Sequence, residues 1–433
     1  MRESISQILS ARRGLFAFFF VAGACGASTD NATSNGSLPP TDSTTAGPLC
    51  DANNGGITLP SGFCATVFAD HVGTARHIAV SSSGDVYVML SGGAVLALRD
   101  TNADGHADMR ATFGRSGNSG LTLVGNDLYA DIGSAIVRYK LTPGTLAAAG
   151  SVDTIVKGLP TGGHSSRSVA VDPSGNLFIG IGSATNMCEG SPPNNCSELP
   201  TRAGVWRFDA NAVGQSFSTS ARFATGIRNA VGMAIHPSTG KLYVTQHGRD
   251  NLFQLYPKLY SSGDGAESPG EELFQVDQDD DFGWPYCYYD RKTQKRVLTP
   301  EYGGDRNTVG RCASTRAALT TFPGHWAPNG LMFYTASQFP AHYKNGAFVA
   351  FHGSWNRTPL PQAGYLIAFV PASGSSLGNT YEVFASGFSG SSSLSSDTQA
   401  SHRPTGLASD SSGALYITDD VGGRIWRVTY RGS

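Results

Sequence analysis

Histidine, arginine and small polar residues recur in this chain as short motifs between apolar runs, and several have the makings of reactive sites. In Gly162-Gly163-His164-Ser165-Ser166-Arg167, one imidazole sits in a Gly-rich turn that leaves room for a substrate. A neutral imidazole near its ordinary pKa is suited to taking a proton from a hydroxyl. Gly226-Ile227-Arg228-Asn229 is followed by Gln246-His247-Gly248-Arg249-Asp250. Arg228 brings a fixed cation with a planar fork of donors, fit for a developing oxyanion, a carboxylate or a plain salt bridge. The backbone carbonyls of Gly248 and Arg249 are hard oxygen ligands of the kind Ca²⁺ takes.

A second calcium candidate is the loop from Asp100 to Asp108. Asp100, Asn102 and Asp104 stand at positions 1, 3 and 5, Gly105 at position 6 and Asp108 at position 9 of a calcium-loop spacing. Thr112 stands where an EF-hand needs its bidentate Glu, which excludes a full EF-hand and leaves a smaller calcium-stapled turn. A solvated Asx-rich turn without metal is the alternative. Two aromatic-rich stretches, Phe282-Gly283-Trp284-Pro285-Tyr286-Cys287-Tyr288 and Phe351-His352-Gly353-Ser354-Trp355-Asn356-Arg357, would pack under long loops, wall a planar cofactor or stack on sugar rings.

These motifs are positioned by a repeat. A small or polar residue, often Arg, leads into an apolar strand, a Ser-Gly or Asn-Gly type turn, and a second strand ending in an aromatic residue. Copies begin near Arg76, Gly120, Arg167, Arg228, Pro328 and Arg403. A third strand follows each, in AVLALRD, AIVRYKL, GVWRFDA, NLFQLYP, GYLIAFV and RIWRVTY. Such small units cannot bury their faces alone and stack around an axis, so the expected fold is all-β, a six-bladed β-propeller. If the first strand of each blade lines the channel, Arg76, His77, His164, Arg167, Arg228, Asn229, Asn329 and Arg403 meet at one mouth. Such a ring suits a polyanionic ligand better than it suits a core.

Length and composition set the frame. Of 433 residues, Arg12 and Arg13 precede an apolar run at 14–24 that is too short to span a membrane and has the length of a signal peptide. It ends at Val-Ala-Gly-Ala-Cys25, which resembles a bacterial lipoprotein cleavage box; ordinary cleavage with release of a soluble protein is the other outcome. Residues 1–25 are therefore read as leader and 26–48, nearly free of apolar side chains, as a flexible tether. Residues 49–433 form the propeller. The expected location is the periplasm or outer membrane of a bacterium, with membrane contact only through a lipid on Cys25. Beyond Cys25 the cysteines fall into close pairs, Cys50 with Cys64, Cys188 with Cys196 and Cys287 with Cys312, which suggests three disulfides in an oxidising compartment. Six cysteines allow fifteen connectivities, so proximity alone selects these. No CxxCH is present to attach a haem. A formal net charge of −2 and 15% charged residues, with no basic stripe, make nucleic acid an unexpected partner.

Taken in order, GGHSSR, GIRNAVGMAIHP, QHGRD, FGWPYCYYD, HWAPNG, FHGSWNR and HRPTGLA resemble the soluble quinoprotein sugar dehydrogenases, in their sorbosone dehydrogenase-like branch. The resemblance runs from about residue 59 to 430. It implies a six-bladed propeller holding pyrroloquinoline quinone (PQQ) and Ca²⁺ in the mouth of the channel, a sugar or polyol substrate, and a separate electron acceptor such as a cytochrome or quinone. It makes His164 the general base and Arg228 the cation beside the reactive quinone oxygen, with Asn229 a polar contact to the cofactor. The Gly248 and Arg249 carbonyls become calcium ligands, while Arg357, Arg403 and Arg76 fall to the cofactor's carboxylates. Arg249 stands where the glucose-oxidising branch has Pro, and the family Lys that grips the cofactor has no clear match. The loops 256–270 and 290–320 differ most, so glucose is not implied. Two other readings of the same fold are a calcium-dependent lactonase, which needs channel carboxylates where this chain has cations, and a non-catalytic glycan- or protein-binding propeller.

Overall fold

Alternation along the strands gives each sheet two apolar faces. Val86 and Val88 pack with Phe68, Tyr416 and Ile425 on one side. Between and beside them, Tyr87 and Met89 pack with Leu121, Leu128 and Val137 on the other. The division repeats around the molecule: Ile136 and Tyr129 with Leu177 and Trp206, Phe178 and Val205 with Leu242 and Phe274, Tyr243 and Leu273 with Leu331 and Val349, and Phe348 and Ile367 with Leu415 and Trp426. Each sheet lends half its side chains to each neighbour, so a core forms at every seam and the ring must close to bury the last one.

The computed structural model describes residues 50–191 and 195–432; the expected leader, tether and Cys25 lie outside them. Six four-stranded antiparallel blades surround the channel, the second extended by Gln215–Ser216 in parallel to its outer strand. Their innermost strands are Ala75–Val80, Leu121–Val124, Val169–Val171, Ala230–Ile235, Pro328–Phe333 and Pro404–Ser409, and neighbours touch around the ring. The six-bladed, all-β expectation is met.

Two expectations need correction. Each blade has a fourth, outer strand that the repeat did not reveal; in the first blade it is too exposed to carry an apolar period, Met109–Phe113 being mostly open to solvent. In the sixth blade that outer strand is Phe63–Ala69, paired antiparallel with Ile425–Tyr430, so the two ends of the domain close the ring together. In the fourth blade NLFQLYP is not a strand. Leu252–Leu255 forms a short helix after left-handed Asn251, and the third strand is Glu271–Val276, one loop later.

The inner strands carry a local irregularity where they begin. Register shifts fall between Ala75 and Ile78, Ala230 and Met233, Pro328 and Gly330, and Pro404 and Leu407. Bulges at a sheet rim re-aim side chains, and here they lie beside Arg76, His77, Asn329 and Arg403. Two glycines allow the strands to approach: a Cβ on Gly330 would lie 2.5 Å from the Thr405 carbonyl oxygen, and one on Gly406 2.5 Å from that of Arg76.

All three expected disulfides are present. Cys50–Cys64 fastens the segment that precedes the ring-closing strand Phe63–Ala69. Replacing both cysteines by serine is expected to lower stability by about 3 kcal/mol, from the chain entropy of a loop of this size. The check is the unfolding free energy from urea titration, with m expected to stay or rise as the uncrosslinked unfolded chain expands; an unmoved free energy would show that the strand needs no tether.

Candidate active site at the channel mouth

At the end where the inner strands begin, Arg76, Ser166, Asn229, His247, Asn329, His352, Trp355 and Arg403 surround a cavity of about 270 Å³. That is close to the lower end of the range for small-ligand pockets. The repeat places these residues together from the strands and loops of five of the six blades. The side-chain oxygens of Asn229 and Asn329 and the His247 Nε2 are buried and have no hydrogen-bond partner among the described residues. Buried polar atoms without partners are costly, and three in one cavity point to a ligand that completes them. Trp355, 60% exposed, stands at the wall with its ring open to solvent.

His164 is half buried beside this group. A Cβ on Gly182 would lie 2.6 Å from the His164 Cβ and 3.0 Å from the Asn229 Oδ1, so glycine is what lets the two residues come together over this strand end. The His164 Nδ1 is 3.0 Å from the Ser183 carbonyl oxygen and 2.9 Å from its Oγ. A carbonyl only accepts and the Ser183 Oγ donates to the Thr185 carbonyl at 2.6 Å. The proton therefore lies on Nδ1, leaving the Nε2 lone pair available. Burial, with Arg228 second, lowers the His164 pKa to about 4. Burial also lowers His247 to about 3, and His77, bound through Nε2 to the Asn329 carbonyl at 2.9 Å, to about 4. All three are neutral at pH 7.

A second histidine, His352, lines the cavity itself and is backed by a carboxylate. The His352 Nε2 donates to Asp420 Oδ1 at 2.8 Å, while the other oxygen of Asp420 holds Arg76. Arg76 also donates to the Ser166 Oγ at 3.2 Å. Arg403 donates to the His352 and Gly353 carbonyls at 3.0 and 2.7 Å and to Asp397 at 2.9 Å. Each of the two arginines still has N–H groups left for a ligand anion.

Arg228 is buried and closely held. Its Nε donates to the Asn186 carbonyl at 3.2 Å, its Nη2 to Asn186 Oδ1 at 3.0 Å and Asp250 Oδ2 at 2.9 Å, and its Nη1 to the Gly248 carbonyl at 2.7 Å. One Nη1 hydrogen stays uncommitted. Burial alone would raise the Asp250 carboxyl, but the His325 hydrogen bond and the Arg228 charge overcome it and hold Asp250 well below the ordinary carboxylate range. Asn356 adds a bond to Asp250 Oδ1 at 2.6 Å.

Other expected site residues stand elsewhere. Arg167 is buried and tied to Asp131, Gly133 and Pro160, a clamp between the second and third blades and not part of the ring at the mouth. The Arg249 side chain turns away to pair with both oxygens of Glu301, at 2.7 and 2.6 Å. Arg357 donates to the Pro361, Ala266 and Gly324 carbonyls and to Glu267, tying its own loop to the end of the helix Ser262–Glu267 and to the segment at Gly324. In the loop at Asp100, each of Asp100, Asn102 and Asp104 accepts a backbone N–H, from Gly105, Asp104 and His106 at 2.8, 3.1 and 2.8 Å. Asp108 binds Thr101. Among the described residues no cluster of three or more His, Cys, Asp or Glu side chains could hold a metal. Ser183, Asn186 and Asp420 belong to the site but were not singled out from sequence, since each acts on a residue distant along the chain.

A family model for TrAA12-like proteins matches residues 57–431. An uncharacterized protein of Borreliella burgdorferi is 29% identical over 270 residues, 62% of this chain and 61% of its own length. The pyrroloquinoline quinone-dependent pyranose dehydrogenase of Coprinopsis cinerea is 24% identical over 354 residues, 70% of this chain and 44% of its own length. The chain thus spans less than two thirds of either curated relative. Among solved structures, the holo form of the PQQ domain of the Coprinopsis cinerea pyranose dehydrogenase superposes with a TM-score of 0.69 at 20% identity, covering 86% of this chain and 97% of that one. The PQQ-bound aldose sugar dehydrogenase of Streptomyces coelicolor gives 0.55 at 15%, covering 86% and 99%. At these identities the solved structures establish the shared propeller, while the family model spans all six blades: the chain belongs to the TrAA12-like family.

Proposed function

We propose that the chain is a quinoprotein dehydrogenase that oxidises a hydroxyl or lactol carbon of a sugar or related polyol, with PQQ held at the channel mouth. The observation that carries this reading is the set of unpartnered buried atoms on Asn229, Asn329 and His247 in one cavity with Arg76 and Arg403. That donor and acceptor set fits a planar, polycarboxylate, carbonyl-rich ligand. Arg76 and Arg403 would take its carboxylates and Asn229 a ring heteroatom or carbonyl; Arg249 and Arg357 are engaged elsewhere. PQQ bound there would supply an ortho-quinone able to take up a hydride from the carbinol carbon, with a separate acceptor needed to reoxidise it.

The chain's own part is proton transfer and charge. His164 Nε2 takes the hydroxyl proton, with Ser183 holding the tautomer, and Arg228 offers its remaining Nη1–H to negative charge that develops nearby. His352 is a second reading for the base. It is favoured by the Asp420 carboxylate at 2.8 Å, which would stabilise the imidazolium once formed. Calcium at the Gly248 and Arg249 carbonyls is the finer part of the proposal. Asp250, held ionised despite its burial by His325 and Arg228, places negative charge beside that corner, and Glu271, whose carboxyl burial pushes up to about 7, accepts the Gly248 N–H at 2.9 Å. A calcium-stapled Asp100 loop remains a structural proposal of the same kind. We further place the protein outside the cytoplasm, carried by the leader at 1–25 and held by a lipid on Cys25.

Purified apo-protein mixed with PQQ and Ca²⁺ is expected to bind the quinone one to one and to reduce a dye in the presence of an aldose, a pyranose or a polyol. Chelation before mixing is expected to weaken binding at least tenfold. Absence of quinone binding at micromolar concentration would sink the dehydrogenase reading in favour of a hydrolase or binding propeller; binding unaffected by chelation would remove calcium alone.

A further inference from the structure

We propose that Asn186 is the residue that positions Arg228, and that it does so as the tip of a disulfide-tied segment docked on the fourth blade. This rests on the reading of Arg228 as the cation of the active site. A guanidinium has two edges and one end to offer. Here the Nε–Nη2 edge is taken by one residue, Asn186, through its carbonyl at 3.2 Å and its Oδ1 at 3.0 Å. The same Oδ1 accepts the Asp250 backbone N–H at 2.8 Å, and the Asn186 Nδ2 donates back to the Asp250 carbonyl at 3.0 Å. Asn186 therefore sets the plane of the cation and also the backbone of the residue that carries its counter-charge. With Gly248 on Nη1, the outcome is a single free N–H with a fixed direction.

Asn186 is itself fixed from behind. Its carbonyl also accepts the Trp284 Nε1 at 3.0 Å, and the next carbonyl, that of Met187, accepts the Tyr302 hydroxyl at 3.2 Å. Met187, both cysteines of Cys188–Cys196, Trp284, Tyr286 and both cysteines of Cys287–Cys312 form one buried cluster. Two crosslinked segments from neighbouring blades thus lock on each other at the base of Asn186. A side chain that must hold a cation within a fraction of an ångström needs such a base, because a small misplacement at a reacting centre costs rate steeply.

Asn186→Ala is expected to lower kcat about 10- to 100-fold with KM within threefold. Asn186→Asp, which keeps the acceptors but loses the donor and adds a charge beside Asp250, is expected to do the same. Trp206→Phe, a change in the seam between blades two and three, serves as the control for general loosening. A second readout needs no cofactor: in apo-protein labelled with ¹⁵N-arginine, the Arg228 Nε–H, assigned by its loss in Arg228→Lys, is expected to exchange slowly with solvent in the parent and at least tenfold faster in Asn186→Ala. Unchanged exchange, or an unchanged kcat in an active parent, would overturn the proposal. An inactive parent with the predicted change in exchange would instead count against the dehydrogenase reading and leave the positioning role standing.

Discussion

His164→Ala is expected to cut dye-coupled turnover by about 10²- to 10⁴-fold, the usual worth of a positioned general base, with PQQ affinity within threefold of the parent. The expectation follows from the tautomer. Ser183 takes the proton on Nδ1, so Nε2 is a lone pair, and burial together with Arg228 keeps it unprotonated down to about pH 4. The base is therefore in its active form throughout the neutral range, and the acid limb of kcat/KM is expected near pH 4 and not near 6.5. The sign for stability runs the same way. The folded pKa is lowered, so between 6.5 and about 4 the unfolded chain binds the proton more readily, and His164 costs stability as pH falls through that window. His352→Ala in parallel decides between the two histidines. If His352 is the base, it shows the larger loss, and His164→Ala retains most turnover. Equal, modest losses in both would sink the proton-transfer role altogether.

What the sequence made legible was what repeats. The blade count follows from six copies of one pattern, and bulges at the start of the inner strands lie at or just after Arg76, Asn229 and Arg403, which meet at one cavity. What it did not reveal was what pairs over distance. Arg167 and Arg228 sit at equivalent repeat positions, yet Asp131 and two carbonyls draw the first into a seam between blades, while Asn186, Gly248 and Asp250 hold the second beside the site. Nothing local distinguishes them. The family resemblance assigned Arg357 to the cofactor's carboxylates, but its guanidinium meets three backbone carbonyls and a glutamate. Met109–Phe113 escaped because it is exposed, Phe63–Ala69 because it joins its blade from the other end of the sequence, and the third strand of the fourth blade because NLFQLYP mimics alternation over too few residues to separate strand from helix.

Removing the counter-charge of Arg228 is expected to have the largest effect on the fold. Asp250→Ala leaves a buried guanidinium without its carboxylate, a change of about 3–5 kcal/mol in systems where one member of a buried pair is deleted. It also strips partners from Asn356 and His325. Arg228→Lys is milder for the fold but not for the chemistry. An ammonium cannot span the Asn186 edge and reach Gly248 together, so turnover is expected to fall about 10²- to 10³-fold, the scale seen when one oriented donor to developing charge is lost. The two roles separate in the double variant Arg228→Met with Asp250→Leu. Exchanging a buried ion pair for apolar groups of similar volume is often neutral, so the urea midpoint is expected to return most of the way to the parent while turnover stays at the level of the single Arg228 variant. A double variant as unstable as Asp250→Ala would show that Asp250 serves the loop around it more than the cation. One that regained turnover would remove Arg228 from the reaction.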